Sequence, residues 1–314
     1  MTAGDTWITG ARGFIGRHLA IRLAGSGRRV IGLGHGAWPD AGRYGVARWL
    51  NCDITSDNLS QLAQDEGVPA TVFHLAGGSS VGSAIAAPRE DFNRTVEASA
   101  VLCDWLRLEA PQARLLAVSS AAVYGASQEG PIPEIAAGRP YSPYGYHKLM
   151  MEQVCRAYAE TYGLSVVNAR LFSVYGPELR KQLLWDACQK LAAGAPVLEL
   201  GGSGTELRDW TNIADVVRAL ERIADLASPE APAINVGTGR GLNVAAVADL
   251  LVSAWGEGTA VRFSGLGRRG DPQSLVADAG RLAELGFSFE VSAEQGVAAY
   301  VAWYRSQAAM AVGA

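Results

Sequence analysis

Tyr144 and Lys148 stand four residues apart in Ser142-Pro143-Tyr144-Gly145-Tyr146-His147-Lys148, downstream of Thr9-Gly10-Ala11-Arg12-Gly13-Phe14-Ile15-Gly16. Residues at i and i+4 of a helix share one face, so the Lys148 ammonium is expected beside the Tyr144 ring, where it favours the phenolate. A free tyrosine titrates near pH ~10, and lowering that by about three units takes roughly 4 kcal/mol of selective stabilisation of the anion. One close cation in a partly dry cleft supplies an effect of that size, and the phenol then trades protons near neutral pH. With 10 tyrosines and three lysines in 314 residues, chance places a lysine four positions after a tyrosine only about 0.1 times. Gly10, Gly13 and Gly16 have the spacing that lets backbone amides and a helix N-terminus approach a pyrophosphate, if a strand precedes them and a helix follows.

That context is legible. Thr6-Trp7-Ile8-Thr9 reads as a short buried strand, and Phe14, Ile15, Leu19, Ile21 and Leu23 mark a helix that Gly25-Ser26-Gly27 closes. Further strands are predicted at Arg29–Leu33, Val72–Ala76, Leu115–Ser119 and Leu164–Arg170, with helices at 91–108 and 144–162. Alternation of strand and helix predicts an α/β fold with a doubly wound parallel sheet. After Gly176 the pattern loosens, with a glycine-rich stretch at 201–204, a short strand at Val197–Leu200 and helices near 243–255 and 291–306. Helix 213–226 and strand Ala233–Val236 are expected to rejoin the first sheet. The predicted domains are therefore residues 1–170 plus about 212–238, and a smaller α/β substrate lobe of about 171–211 plus 239–314.

Composition narrows the function classes. Lys and Arg total 27 against 31 Asp and Glu, a formal charge of −4, so no basic face announces a nucleic-acid partner. No apolar run approaches the ~20 residues that span a bilayer, and Met1–Asp5 holds no basic leader, so a soluble cytoplasmic protein without a membrane partner is expected. Cys52, Cys103, Cys155 and Cys188 are scattered, and His18, His35, His74 and His147 lack two-histidine metal spacing, so no metal is assigned.

Ser119 and Ser120 end a strand on the carboxyl edge where doubly wound sheets bind ligands, and a hydroxyl there can hold a carbonyl oxygen. Here the chain resembles the extended branch of the short-chain dehydrogenase/reductase family, the nucleotide-sugar epimerases, dehydratases and reductases. Besides the glycine loop and Tyr144/Lys148, the matching pieces are His74-Leu75-Ala76-Gly77, Val81-Gly82, Asn93, Ser119 to Gly125, Arg208-Asp209-Trp210 and Asn235-Val236-Gly237. The resemblance implies a Rossmann-type sheet carrying a nicotinamide cofactor, a nucleoside diphosphate sugar as substrate, and Ser120, Tyr144 and Lys148 as the catalytic trio. It implies cofactor contacts from Gly10, Arg12, Gly13, Phe14, Ile15, Gly16, Asp53, Ile54, Leu75, Ala76, Gly77 and Asn93. It also implies substrate contacts from Ser79, Val81, Ser120, Ser173 and Arg208, and a homodimer built through a four-helix bundle.

Departures from the family pattern sharpen the reading. Dehydratases carry an acidic pair directly after the catalytic hydroxyl; here Ala121 and Ala122 stand there, and neither moves a proton. A carboxylate that binds the adenosine ribose in NAD is expected about 20 residues past the glycine loop, and Gly34 occupies the place. Its absence leaves room for a 2′-phosphate, toward which Arg12 points a cation and His35 a second contact, so NADP is favoured with NAD as the alternative. Ser173 stands where relatives commonly have Asn, and Ser79 where some have Lys; Lys181 in the following loop is a candidate compensating cation. The leading expectation is an NADPH-dependent reductase of a nucleotide-linked 4-keto-6-deoxy sugar. A 4-epimerase with retained NAD is the alternative, and a non-catalytic nucleotide-sensing module is a third. Val101, Leu102, Leu106, Leu149, Met150 and Val154 line helices 91–108 and 144–162, and sequence leaves open whether they pack inward or against a second copy.

Overall fold

The computed structural model describes residues 5–256, 258–266 and 272–312, with side chains through Gln307. Residues 1–4, on which the expectation of an untargeted start partly rests, lie outside that range. The first elements are β1 (Thr6–Thr9), α1 (Phe14–Gly25), β2 (Val30–Gly34), β3 (Val46–Asn51), α2 (Ser56–Glu66), β4 (Thr71–His74), α3 (Val81–Ala86), α4 (Pro88–Phe92), α5 (Ala98–Glu109) and β5 (Arg114–Ser120). There follow β6 (Pro131–Ile132), α6 (Pro143–Tyr162), β7 (Ser165–Leu171), β8 (Ser173–Tyr175), α7 (Gln182–Ala192), β9 (Val197–Leu200), β10 (Leu207–Asn212) and α8 (Ile213–Ile223). The last are β11 (Ala233–Val236), β12 (Gly241–Asn243), α9 (Val244–Trp255), β13 (Ala260–Phe263), β14 (Ser274–Ala277), α10 (Gly280–Glu284) and α11 (Ala293–Val312). Two compact units result: Met1–Gly125 with Glu134–Leu171 and Val217–Asn235, and Ala126–Pro133 with Phe172–Val216 and Val236–Ala314.

The seven-stranded sheet runs β11-β7-β5-β4-β1-β2-β3, and every pair from β7 to β3 is parallel. Helices cover both faces of such a sheet, which is why β1 and β4 are buried at every residue and read as continuous apolar runs. Strand order reverses direction between β1 and β4, so the turns that leave these two strands diverge and open a crevice at their carboxyl ends. The predicted strands are all present. Sequence reading missed β3, an edge strand whose Ala47 and Arg48 are exposed, so its apolar pattern is diluted.

Helix 91–108 is present but changes pitch within its length. Pro88 starts α4, a π turn spans Asn93–Glu97, and α5 follows, so residues before and after the turn face different ways. Helix α6 begins where its signals say: the Ser142 hydroxyl accepts the Gly145 N–H at 3.2 Å and Pro143 occupies the first turn. Leu102 and Leu106 of α5 pack into the core with Met151 and Cys155 of α6, and Trp105 stacks on Trp7 with ring centroids 5.4 Å apart. Of the apolar residues left open by sequence, Met150 is exposed, whereas Val101, Leu149 and Val154 are half-buried. No helix among the described residues is long and apolar enough to cross a membrane.

The second unit contains a sheet ordered β12-β10-β14-β6, with β8 paired to β10, and a separate β9/β13 pair. Its pin is Asp209. Alternation along β10 turns Arg208 and Trp210 to one face and buries Asp209 completely on the other. The Asp209 carboxylate accepts the Thr238 N–H and O–H at 2.8 Å each, the Gly239 N–H at 2.9 Å, the Ala277 N–H at 3.2 Å and the Thr211 hydroxyl at 3.3 Å. A buried carboxylate is tolerated only with such a set of donors, and the donors in turn depend on it. Asp209→Ala is expected to cost about 3 kcal/mol or more, read as a lowered urea midpoint of the second unit's Trp fluorescence transition.

Candidate active site

The turn after β1 is shaped by contacts that only glycine permits. Gly10 has φ +71°, and a Cβ there would lie 2.9 Å from the Ala76 nitrogen; a Cβ on Gly16 would lie 2.4 Å from the Gly10 carbonyl oxygen. Gly13 caps α1 in an extended conformation, and among the described residues no side chain caps that end. The first amides of a 12-residue helix, with Phe14 and Ile15 in the first turn, are therefore directed at the crevice. Bare N–H groups at a helix N-terminus, closely approached by glycine backbone, fit a pyrophosphate.

At the end of β2 the departure at position 34 has a steric cause. A Cβ on Gly34 would meet Cη2 of Trp49 at 2.9 Å, and the Trp49 indole donates to the Gly36 carbonyl at 3.1 Å. The edge strand β3 thus fills the space that a carboxylate at 34 would need. Arg12 reaches across from the glycine loop to donate to the His35 carbonyl at 3.1 Å. His35 lies 3.5 Å from the Asp53 carboxylate in an exposed pair, and Ile54 follows half-buried.

Beneath the crevice a polar chain ties three elements together. The Ala76 N–H donates to the Thr9 hydroxyl at 3.2 Å, and that hydroxyl meets His74 Nδ1 at 2.7 Å. His74 Nε2 meets the Ser99 hydroxyl at 2.9 Å, and Ser99 donates onward to the Thr95 carbonyl at 2.6 Å. Since the Ser99 proton is committed to Thr95, His74 carries its proton on Nε2 and accepts from Thr9 at Nδ1. Burial pulls the His74 pKa down to about 3, with Lys148 adding to the effect, so the ring is neutral. This chain fixes the turn Leu75-Ala76-Gly77. Asn93 takes no part in it: it is exposed on the π turn, and Thr95, fully buried, accepts the Gly78 N–H at 2.8 Å instead.

The proton-transfer candidates converge at the end of β5. Ser119 is buried on one face of the strand, and alternation presents Ser120 on the other, where its hydroxyl bonds the Tyr144 phenol and accepts the Ala122 N–H at 3.2 Å. Gly145 lets α6 press onto this turn; a Cβ there would lie 2.6 Å from the Ala122 carbonyl oxygen. Lys148 is 3% exposed and donates to the Val118 carbonyl at 2.8 Å. Burial raises the Tyr144 pKa, the Ser120 bond opposes the rise and Asp91 adds to it. Lys148 is held on the strand carbonyl, and burial brings its own pKa down to about 8 against the pull of Asp91 and Glu152. The Ser120 contact is one that favours the phenolate.

Sequence reasoning missed the surroundings of this trio. His147 Nδ1 lies 2.5 Å from the Asp91 carboxylate, both buried. Arg170 on β7 forks onto Glu152 at 2.9 and 2.7 Å and donates to the Tyr124 hydroxyl at 2.9 Å, which in turn donates to Asn235 at 2.6 Å. Only Arg170, a charge inside a largely apolar strand, hinted at these pairs; Asp91 lies in a polar, charged stretch that gave no signal. Ser79 and Val81 sit at the exposed start of α3 in the first unit. The remaining substrate candidates belong to the second unit. Ser173 on β8 pairs with Trp210 of β10, Arg208 shares the Trp210 face, and Lys181 precedes α7 with burial lowering its pKa. Among the described residues no three metal-ligating side chains converge.

Residues 6–237 match the family described as Epimerase, the NAD dependent epimerase/dehydratase family. The UDP-glucose 4-epimerase of Azospirillum brasilense is 31% identical over 88% of this chain and 84% of its own length. A probable UDP-glucuronate 4-epimerase of Rhizobium meliloti (strain 1021) is 28% identical over 95% of this chain and 96% of its own. Among solved structures, MoeE5 in complex with UDP-glucuronic acid and NAD superposes with a TM-score of 0.86 at 34% identity, covering 97% of this chain and 100% of that one.

His74 gives the site a pH signature in stability. The unfolded chain binds a proton near pH 6.5 that the folded chain refuses until about 3, so stability falls as pH drops below 6.5. Between pH 7 and 5 this residue should account for a loss of about 2 kcal/mol. Urea denaturation of the wild type and His74→Asn at both pH values is expected to show the variant losing less by that amount.

Proposed function

The chain belongs to the NAD dependent epimerase/dehydratase family, and from that premise we propose that it inverts the C4 hydroxyl of a UDP-linked hexose with a retained NAD. The observation that carries the reading is the Ser120 hydroxyl bonded to the Tyr144 phenol at the carboxyl end of β5, with the buried Lys148 ammonium behind them. The glycine turn that fits a pyrophosphate lies on the same edge of the same sheet. Relatives and neighbours named for 4-epimerisation and for NAD support this alternative over the reductase that the sequence first suggested.

In this reading Gly10, Gly13, Phe14, Ile15 and Gly16 hold the pyrophosphate, Asp53 and Ile54 border the adenine, and Leu75, Ala76 and Gly77 line the nicotinamide side. NAD held there would supply the reversible hydride acceptance at C4 that the inversion needs. Ser120 holds the C4 oxygen and Tyr144 takes its proton. The same phenol returns that proton when the hydroxyl is remade, so the proton count closes within each turnover. Lys148, with two N–H donors beyond the one given to Val118, grips the nicotinamide ribose. Ala121 and Ala122 offer no acid or base for expelling a sugar hydroxyl, which argues against dehydration within the family. Within the second unit Ser173, Lys181 and Arg208 are the proposed diphosphate and sugar contacts, and within the first unit Ser79 and Val81 are. The exposed Phe92, Tyr146 and Met150 on α4 and α6 form the apolar stripe of a homodimer through a four-helix bundle.

One observation favours the second reading, an NADPH-dependent 4-keto sugar reductase. Gly34 is kept free of a carboxylate by Trp49, and Arg12 stands at the end of β2, an arrangement that tolerates a 2′-phosphate. Denaturing the purified protein separates the two: stoichiometric released NAD, with conversion of UDP-glucose or UDP-glucuronate to the C4 epimer followed by proton NMR, is the expected result. An empty protein that oxidises NADPH with a 4-keto-6-deoxy sugar nucleotide would reject epimerisation. Tyr144→Phe is expected to keep its NAD while turnover falls at least ~100-fold. Met150→Glu should shift the sedimentation coefficient from dimer to monomer.

A further inference from the structure

Lys148 and Asp91 are 3% and 5% exposed, and the buried Asp91 carboxylate has no role so far. They border the same turn from two sides. A Cβ on Gly77 would lie 3.3 Å from Lys148 Nζ, and a Cβ on Gly78 would fall 1.9 Å from Asp91 Oδ1. The glycine pair therefore lets an ammonium from α6 and a carboxylate from α4 close on one stretch of backbone. His147, the neighbour of Lys148 on α6, bonds the other Asp91 oxygen at 2.5 Å and takes the edge of Phe92 on its ring at 5.5 Å. We infer that Asp91 is a positioning residue, the buried counter-charge that keeps Lys148 cationic beside Tyr144, and that His147 is the clamp that aims it.

Other titratable groups around Lys148 do not replace Asp91. Glu152, on α6 itself, is engaged by both arms of the Arg170 fork at 2.9 and 2.7 Å. His74, from β4, is neutral, with its pKa pulled down to about 3. Cys155, from α6, faces Cys103 of α5 at 3.9 Å in the core. Tyr144, the remaining neighbour, is a phenol pushed upward by burial and by Asp91. That leaves the Asp91 carboxylate as the anion across the turn. Its charge supports the protonated form of both Lys148 and Tyr144, so removing it should move both titrations to lower pH.

For its effect on turnover this inference rests on the reading of Tyr144 as the proton-transfer group; the charge pairing itself does not. The chain has only three lysines, Lys148, Lys181 and Lys190, so protein labelled with 13C-lysine gives three titrating signals, and Lys148→Arg identifies one of them. In Asp91→Asn the Lys148 midpoint is expected to fall by about one pH unit or more, and in His147→Asn, which keeps a donor to the carboxylate, to stay at the wild-type value. With the epimerase assay, both limbs of the Asp91→Asn pH–rate profile should move to lower pH. An unmoved Lys148 midpoint in Asp91→Asn, with or without a loss of thermal stability, would overturn the inference. Asp91→Ser is read in the same way should Asp91→Asn fail to fold. A wild-type protein without epimerase turnover would sink the functional reading and leave the lysine titration to decide this one.

Discussion

Taking an ammonium out of water is costly, and the first unit is organised around holding one at the end of β5. Transfer of a single charge into a low-dielectric interior costs several kcal/mol unless donors, acceptors and an opposite charge meet it. Lys148 is met by the Val118 carbonyl below and the Asp91 carboxylate across a glycine pair. The Val118 contact holds the ammonium against the strand. Rigidity is what the site requires: the phenol four residues earlier shares the same helix, and the Ser142 cap and Gly145 contact fix where that helix starts. Sheet, helix start and charge pair form one chain of dependence ending at the Tyr144 oxygen.

The parts of the site set by backbone geometry were readable from the sequence, and those set by distant side chains were not. Gly10 and Gly16 announce themselves because a side chain would clash there, Gly13 by its spacing between them, and Tyr144/Lys148 because helix periodicity alone places them on one face. Ser120 was named together with Ser119, and strand alternation separates the two. Asn93 was named as a piece of the family pattern; it lies exposed on the π turn, while Thr95 of the same turn accepts the Gly78 amide. Trp49 lies on a strand that sequence did not reveal, so its claim on the space beside Gly34 was invisible. The fold class came through because alternation of elements is a property of the whole chain. The order of pKa effects did not, since the desolvation of Tyr144 and Lys148 depends on how much of the protein closes over them.

Two departures from the family pattern thus differ in kind. Ala121 and Ala122 subtract a capability, since methyl groups cannot carry protons. Gly34 is instead forced by a neighbour: the indole of Trp49 precedes it in importance, because restoring an acidic residue at 34 would first require moving the ring. The adenosine end of the site is therefore defined by β3 as much as by the glycine loop, and substitutions there act in pairs rather than singly.

Asp209 joins segments that leave the ribosome far apart in time. Its donors lie at positions 211, 238, 239 and 277, so during synthesis the carboxylate must wait, hydrated, until nearly seventy further residues have emerged. At about 5–20 residues per second that interval is several seconds long. A nascent chain halted before β14 would hold an unfinished second sheet, with the Leu207–Arg208 end of β10 lacking its β14 partner, a strand edge open to chaperones or to a neighbouring chain on the same polysome.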